Sequence, residues 1–487
     1  MSQKDKNDST RRDLLKLAGT AGLALTAGCV STIDGGDGND SDGSGGADTA
    51  AGTEGGAGGD TATGTAASTD GRTGDGTDNT TDADVDADNA TGEDTETGNE
   101  TGGETGNESG NGSGGSGSYT IGMVDSLTGS LSAFGQRNQR GKDLALAAVD
   151  EVGIGGRDLE IIVEDSQSEA QSGVSAAQKL VNQNGVPFVI GAVGSGVSLA
   201  IYESVTQSTD VVQLSQNSTS PELSEFPDLL RMSPTGRTQS SALADIIAED
   251  GYDSVAITWI NNDYGQGIAD AFTEAWEGDV AYNQSHDQGQ SSYSSVVSGM
   301  ADAGADAWLF VTYQPEMTSM AQEAYSSGYE AQFYGADSVK GPDVLENTPE
   351  GSLADMKIVA PSAAVDQENY KAFAEAFESE HGESPTAWSA YAYDCVVTAA
   401  LAIATADEFS GAALADTVRD VTRPEGEKVP SFAAAMEALG EDGSASDIDY
   451  QGVSGSIDFD ESGDPTAFLQ IFTVEDGEYV ATGTIEG

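Results

Sequence analysis

The sequence is poor in the residues on which most chemistry depends. Its 487 residues include two His, two Cys and 19 Lys or Arg. His286 and His381 stand far apart in polar surroundings, so an imidazole or thiolate metal site lacks ligands and a Ser-His-Asp triad lacks its base. Two Cys cannot make a disulfide framework. Against the few cations stand 83 Asp and Glu, for a net charge of -64, which repels nucleic-acid phosphates and anionic lipid headgroups alike. No nucleic-acid partner, metal or cofactor is expected, and with no Cys or His at a strand end to serve as nucleophile or base, neither is an enzyme.

The charge is unevenly spread. Residues 1 to 29 carry five basic and three acidic residues, residues 30 to 118 carry one and twenty, and residues 119 to 487 therefore hold a net -47. Acids occur in every segment of this last region, so a single cationic partner does not account for them. A compact body that repels itself this strongly needs concentrated salt to screen it, which reads as a halophile's protein.

The first 29 residues read as an export address. Thr10-Arg11-Arg12-Asp13-Leu14-Leu15-Lys16 precedes an apolar run from Leu17 to Thr26, too short for the roughly 20 residues that span a bilayer. A basic start, a brief apolar core and a small-residue end make a secretion signal. The paired arginines resemble a twin-arginine signal, and Thr26-Ala27-Gly28-Cys29 resembles a lipobox with Thr26 where Leu is usual, implying lipidation of Cys29 and anchoring on the outer face of the membrane. From Val30 to Ser118 the chain is Gly, Thr, Asp, Ser, Asn and Ala. With no apolar face to bury, it is expected to be a disordered tether of roughly 50 Å root-mean-square span. Sequons at Asn79, Asn89, Asn99, Asn107 and Asn111 suit glycosylation.

From Tyr119 onward short apolar runs alternate with amphipathic segments. Strands are expected at 119–124, 159–164, 187–191 and 211–214, then at 254–260, 280–283, 307–312, 332–334 and 356–360, with helices between them. Repeated β-α units imply parallel sheets covered by helices on both faces, and 369 residues are enough for two such lobes. Helices near 367–380 and 386–404 follow, then a hairpin of Gly452–Phe459 with Ala467–Val474 turning at Asp460-Glu461-Ser462-Gly463. This order implies a chain that crosses back between lobes through a hinge.

In an open parallel sheet, ligands bind beyond the carboxyl ends of the strands. There the first half places Asp125-Ser126-Leu127-Thr128-Gly129, Gly194-Ser195-Gly196 and Ser215-Gln216-Asn217-Ser218-Thr219. The second half places Asn261-Asn262-Asp263-Tyr264-Gly265, Tyr313-Gln314-Pro315-Glu316 and Asp337. Gly194-Ser195-Gly196 leads into a helix, whose free N–H groups suit a carboxylate; Ser195 equally suits an ordinary helix cap. Gly191-X-X-Gly194-X-Gly196 matches neither the dinucleotide fingerprint nor a phosphate loop.

Taken in order, Asp125-Ser126-Leu127-Thr128-Gly129 with Phe134-Gly135 and Gly141-X-X-Leu144-Ala145, then Val189-Ile190-Gly191, Ser218-Thr219-Ser220-Pro221-Glu222-Leu223, Asp263-Tyr264-Gly265-Gln266-Gly267 and Pro315-Glu316-Met317 carry a resemblance. Residues 119 to 487 resemble the extracytoplasmic substrate-binding proteins of branched-chain amino acid ABC transporters, type I periplasmic binding proteins, here in a haloarchaeal lipoprotein form. The resemblance implies two doubly wound Rossmann-like α/β lobes with three hinge crossovers, lobe 1 at about 119–236 plus 362–450 and lobe 2 at about 237–361 plus 451–487. It implies a monomeric receptor that closes on an amino acid and passes it to a membrane permease. Ser195 and Thr219 would bind the ligand carboxylate. The Asn217 carbonyl and Asp337 would take its ammonium, Tyr313 would close over it, and Phe134 and Tyr264 would wall it in. Relatives of this architecture also take polar amino acids, urea, short amides and aromatic acids, and the same receptor could serve a chemotaxis transducer.

The folded region is expected to require molar salt, since at about 1 M the screening length falls to about 3 Å. Far-ultraviolet circular dichroism and the melting temperature should both collapse between about 3 M and about 0.1 M potassium chloride; no change across that range would refute the charge argument.

Overall fold

The computed structural model describes residues 117–486. The expected signal over 1 to 29, Cys29 and almost all of the expected tether lie outside the described residues.

The strands β1 (Tyr119–Asp125), β2 (Leu159–Asp165), β3 (Phe188–Gly191), β4 (Val212–Ser215) and β5 (Leu229–Arg231) form one sheet in the order β2-β1-β3-β4-β5, every pair parallel. The interior strands β3 and β4 are buried along their whole length, because helices cover both faces and leave no solvent side to alternate toward. These helices include α1 (Ser132–Val152), α2 (Ala170–Asn182) and α3 (Ser195–Ile201), the last continuing as one π-helical turn to Thr206.

After β5 the chain enters α4 (Gly236–Glu249), where Thr235 caps the first turn by accepting from the Arg237 N–H. Then β6 (Ser254–Ile260), α5 (Asp263–Ala275), β7 (Asp279–His286), α6 (Ser294–Ala303), β8 (Ala307–Val311), α7 (Gln314–Ser327), β9 (Gln332–Gly335), the short α8 (Pro342–Glu346) and β10 (Lys357–Pro361) follow. These strands run parallel in the order β10-β9-β8-β6-β7. The expected α/β architecture of two lobes is the one the chain adopts, although the second sheet is mixed, two antiparallel strands from the end of the chain being added to its parallel set.

The chain then returns to the first lobe with α9 (Glu368–His381), α10 (Ala387–Thr405), α11 (Gly411–Thr417) and α12 (Phe432–Leu439). Helix α10 is long and apolar enough to cross a membrane, yet 83% of that stretch is buried inside the protein. It lies so close against α1 that a Cβ on Gly141 would stand 2.0 Å from the Ser389 carbonyl oxygen, so glycine is required there. Cys395, on the same helix, is fully buried.

A small sheet of β11 (Glu427–Val429), β12 (Ile448–Gly452) and β13 (Gly455–Ser456) follows, and then β14 (Phe468–Glu475) and β15 (Glu478–Glu486) join the second sheet beside β10. The expected hairpin around 460–463 is not formed. Asp460 instead accepts from the Ser462 and Asp464 N–H groups in a closed turn, and the reversal falls at Asp476-Gly477, where both residues have positive φ (49° and 81°), the geometry a two-residue hairpin turn demands. Strand β15 was missed because its outer edge position is largely polar. The last crossing between lobes falls between Asp464 and Phe468, later than the expected 450.

Two interior charges fix the last part of the chain, one at the crossing and one at a turn before it. Arg231, fully buried on β5, pairs with Asp464 at 2.6 Å and donates to the Ser220 carbonyl (2.7 Å) and the Ser224 hydroxyl (2.6 Å). Asp394 on α10 is fully buried and accepts from Tyr450 Oη (2.7 Å), the Val453 N–H (2.9 Å) and the Ser454 N–H (2.7 Å), which pins the β12–β13 turn. Burial outweighs these donors and pushes the Asp394 carboxyl up from 3.8 to about 6. The native state therefore holds this proton more tightly than the unfolded chain. Its contribution to stability declines as pH rises from about 4 through about 6 and is flat above. Asp394→Asn should remove this component, so that the stability slopes of variant and wild type differ by up to about 1.4 kcal/mol per pH unit inside that window. Parallel slopes in chemical denaturation at fixed salt would show that the group does not titrate there.

Candidate functional site

Strand ends of both lobes meet at one narrow cleft. Phe134, Ser195, Asn217, Thr219, Tyr264, Tyr313 and Asp337 all line it. The sequence-derived set is thus brought together without exception, alongside four side chains it did not contain: Leu131, Val193, Ser338 and Trp388.

The first lobe supplies hydroxyls and amides. Ser195 begins α3, and its Oγ accepts from the Ser220 N–H at 3.1 Å, which joins two site loops and leaves its own O–H proton uncommitted. It is not the cap of α3, since that position belongs to Gly194. A Cβ at Gly196 would stand 2.5 Å from Asp263 Oδ2 of the opposite lobe, so the two lobes come close at this point. Asn217 uses its side-chain oxygen to accept from Asn138 Nδ2 (2.8 Å), while its own Nδ2 is buried without a partner. Its free side-chain group is thus a donor. Thr219 is buried in the loop that Arg231 holds through the Ser220 carbonyl.

The second lobe supplies the acid. Asp337 follows β9 and is only 3% exposed. One carboxylate oxygen accepts from Gln239 Nε2 (2.9 Å) and Tyr264 Oη (3.1 Å), the other from Ser338 Oγ (3.1 Å). No Lys or Arg pairs with it among the described residues. Desolvation raises its pKa, and the three hydrogen bonds only partly oppose the rise. Tyr264 stacks on Tyr313 at 5.7 Å with planes 18° apart, and Asn262 both caps α5 and donates to Tyr313 Oη at 3.0 Å. Burial pushes both phenols above their ordinary range, so they are neutral hydrogen-bonding groups at any working pH.

The remaining wall is apolar. Phe134 meets Trp388 edge to face at 5.5 Å, with Leu131 and Val193 beside them. Trp388 escaped sequence reading because it opens α10, whose unbroken apolar character marks it as core. Val193 lies inside the Gly191-X-X-Gly194 pattern and Leu131 between Gly129 and Phe134, and neither carries a polar group that would mark it.

A family profile described as "Periplasmic binding protein" matches residues 118–464. The chain belongs to the periplasmic binding protein family. Among curated relatives, the Leu/Ile/Val-binding protein homolog 3 of Brucella melitensis is 27% identical over 231 residues, 46% of this chain and 62% of that protein. The leucine-, isoleucine-, valine-, threonine- and alanine-binding protein of Pseudomonas aeruginosa is 25% identical over 309 residues, 61% and 81% of the two chains. The alignment thus spans about three fifths of the first relative and four fifths of the second. Among solved structures, the branched-chain amino acid transporter substrate binding protein of Streptococcus pneumoniae, in complex with isoleucine, superposes with a TM-score of 0.65 at 22% identity, over 76% of this chain and all of that one. A solute binding protein of R. palustris in complex with benzoate gives 0.61 at 15% identity, over 75% and 96%. At these identities the superpositions show the fold.

In this periplasmic binding protein, Asp337 is costly to the ligand-free state, since a buried acid without a cation is destabilising where it is ionised. Asp337→Asn should therefore raise the melting temperature of ligand-free protein at neutral pH by a few degrees, roughly what ~1 kcal/mol produces. A lowered melting temperature would instead make the carboxylate a structural acceptor for Gln239 and Tyr264.

Proposed function

We propose that this protein is the extracytoplasmic receptor of an ABC transporter, capturing an amino acid of branched-chain type between its lobes and delivering it to the membrane permease. The observation that carries this reading is Asp337: a buried carboxylate that no Lys or Arg pairs with among the described residues, across a small cleft from uncommitted donors. An ammonium supplies the missing positive charge. The Ser195 and Thr219 hydroxyls and the Asn217 amide nitrogen suit the ligand carboxylate, and the Asn217 carbonyl stays the reading for the ammonium beside Asp337. Leu131, Phe134, Val193 and Trp388 suit an apolar side chain, and Tyr313 reaches over the ligand from the second lobe. Because donors and acid come from opposite lobes, ligand binding favours their closure.

Aromatic acids are the second reading, supported by the Phe134–Trp388 edge and by benzoate in a protein of this fold. They lack an ammonium for Asp337. Urea, short amides and delivery to a chemotaxis transducer are further outcomes of the same tests.

Calorimetry in molar salt with leucine, isoleucine, valine, benzoate and urea separates these readings. For a branched-chain ligand, Asp337→Ala should weaken binding roughly 30-fold or more, since truncating one partner of a desolvated charge pair costs ~2–5 kcal/mol. Ser195→Ala should cost less, because Thr219 and Asn217 remain. Unchanged affinity in Asp337→Ala would remove the ammonium assignment.

The N-terminal sequence supports twin-arginine export, lipidation at Cys29 and display on the outer face of the membrane by a flexible tether, and the charge of -64 supports a salt-adapted, haloarchaeal source. The receptor is read as a monomer. Cys29→Ser should shift the protein from the membrane fraction to the medium, whereas retention after a high-salt wash would exclude the anchor.

A further inference from the structure

A second cleft adjoins the first and shares Asp337 and Trp388 with it. Two cations face it. Arg137 comes from α1 of the first lobe and Lys340 from the segment after β9 of the second. Over residues 119 to 487 there are thirteen Lys and Arg against sixty Asp and Glu, so each cation has several acids to choose from. Eight of the thirteen do take an acid within 4.0 Å. Arg137 and Lys340 take none among the described residues.

Among the described residues both lie against aromatic rings. Lys340 Nζ lies 4.1 Å from the Phe472 ring centre and 5.3 Å from that of Tyr479, and Arg137 Cζ lies 5.8 Å from that of Phe134. Burial and the neighbouring Arg137 guanidinium bring the Lys340 ammonium down to about 8. Arg137 is lowered by burial, with Asp343 acting against that. Asp337, the other nearby acid, is already committed to Gln239, Tyr264 and Ser338. Bringing two like charges from opposite lobes into one partly dry cleft opposes closure unless something negative stands between them.

We propose that Arg137 and Lys340 form an anion subsite at the junction of the lobes, completed when they close and fitted to a carboxylate or an inorganic oxyanion. The anionic group comes either with the captured molecule, as the second carboxylate of a dicarboxylic amino acid reaching past Asp337 and Trp388, or as a free ion that bridges the lobes beside the ligand. The first source rests on the amino acid reading but replaces its branched-chain side chain with an acidic one; the second stands without it.

The test uses the full chain, the variants Arg137→Gln, Lys340→Gln and their double, and the charge-preserving Arg137→Lys and Lys340→Arg. Calorimetry at constant ionic strength compares leucine with glutamate, and melting temperatures are taken in potassium chloride, acetate and sulfate. If the anion is ligand-borne, wild type binds glutamate more tightly than leucine, and each Gln variant loses at least about tenfold for glutamate and little for leucine. If it is free, the melting-temperature gap between wild type and double variant changes from one anion to the next by several degrees, and the charge-preserving variants follow wild type. A gap constant within about a degree in all three salts, with no glutamate preference, overturns the subsite. Should neither amino acid bind while the gap still varies with the anion, the amino acid reading fails and the subsite stands.

Discussion

Asp337 is buried where the strand ends of two parallel sheets converge, and a charge in that position must be answered or neutralised. The surroundings answer it only partly. Gln239 comes from α4, the first helix after the chain leaves the first sheet, and Tyr264 from α5, so two elements of the second lobe are oriented by one carboxylate. Gln239 also donates to the Val359 carbonyl of β10, tying the acid to the sheet. All three side-chain donors are neutral. The site is therefore rigid in position but unbalanced in charge, which is the condition in which a cationic ligand group gains most from entering.

The opposite wall is held by a complementary arrangement. Arg231 is a cation fully inside the protein, but it is fully answered: Asp464 supplies the charge, and Ser220 and Ser224 take its remaining donors. Ser224 in turn donates to the second Asp464 oxygen at 2.7 Å. This cluster holds the loop bearing Asn217 and Thr219 and the last crossing between lobes at once. The molecule thus separates two uses of buried charge, paired where geometry must be fixed and unpaired where a ligand is to be received. The Asp394 cluster belongs to the first use, since four donors converge on it from the β12–β13 region and none comes from the cleft.

The parallel strands were legible because buried β-α units leave short apolar runs bounded by polar strand ends, and those ends carry the site. Ser195, Tyr264, Tyr313 and Asp337 could be picked out because each stands directly after such a run or in the helical turn that follows it, whereas Phe134, and the role of each, came with the family resemblance. Two kinds of information were not local. The hairpin at Asp476-Gly477 was hidden because β15 is an edge strand with polar alternation, whereas the more apolar Ala467–Val474 drew its partner toward Gly452–Phe459; only the Arg231–Asp464 tie shows why 460–464 closes as a loop. Trp388 was hidden for the opposite reason, its helix being so apolar that nothing distinguished a lining residue from a core one. Asn217 was placed correctly, but the free group of its side chain is set by Asn138, seventy-nine residues away, and no local pattern encodes that.

The charge of the whole chain and the charge of the cleft obey different constraints. On the surface, acids repel one another over distances that salt can shorten. Inside the cleft, water and salt are partly excluded, so the balance there is set by a few groups at fixed separations. Among the described residues Asp337 is a negative group with no paired cation, Arg137 and Lys340 are positive groups with no acid within 4.0 Å, and they come from both lobes. Open lobes let solvent answer each separately; closed lobes require that a bound species do so. Salt that relaxes the surface leaves this requirement in place, so a protein built to fold in concentrated salt can still read the charge pattern of a small ligand, provided the reading groups are buried and held by neutral donors.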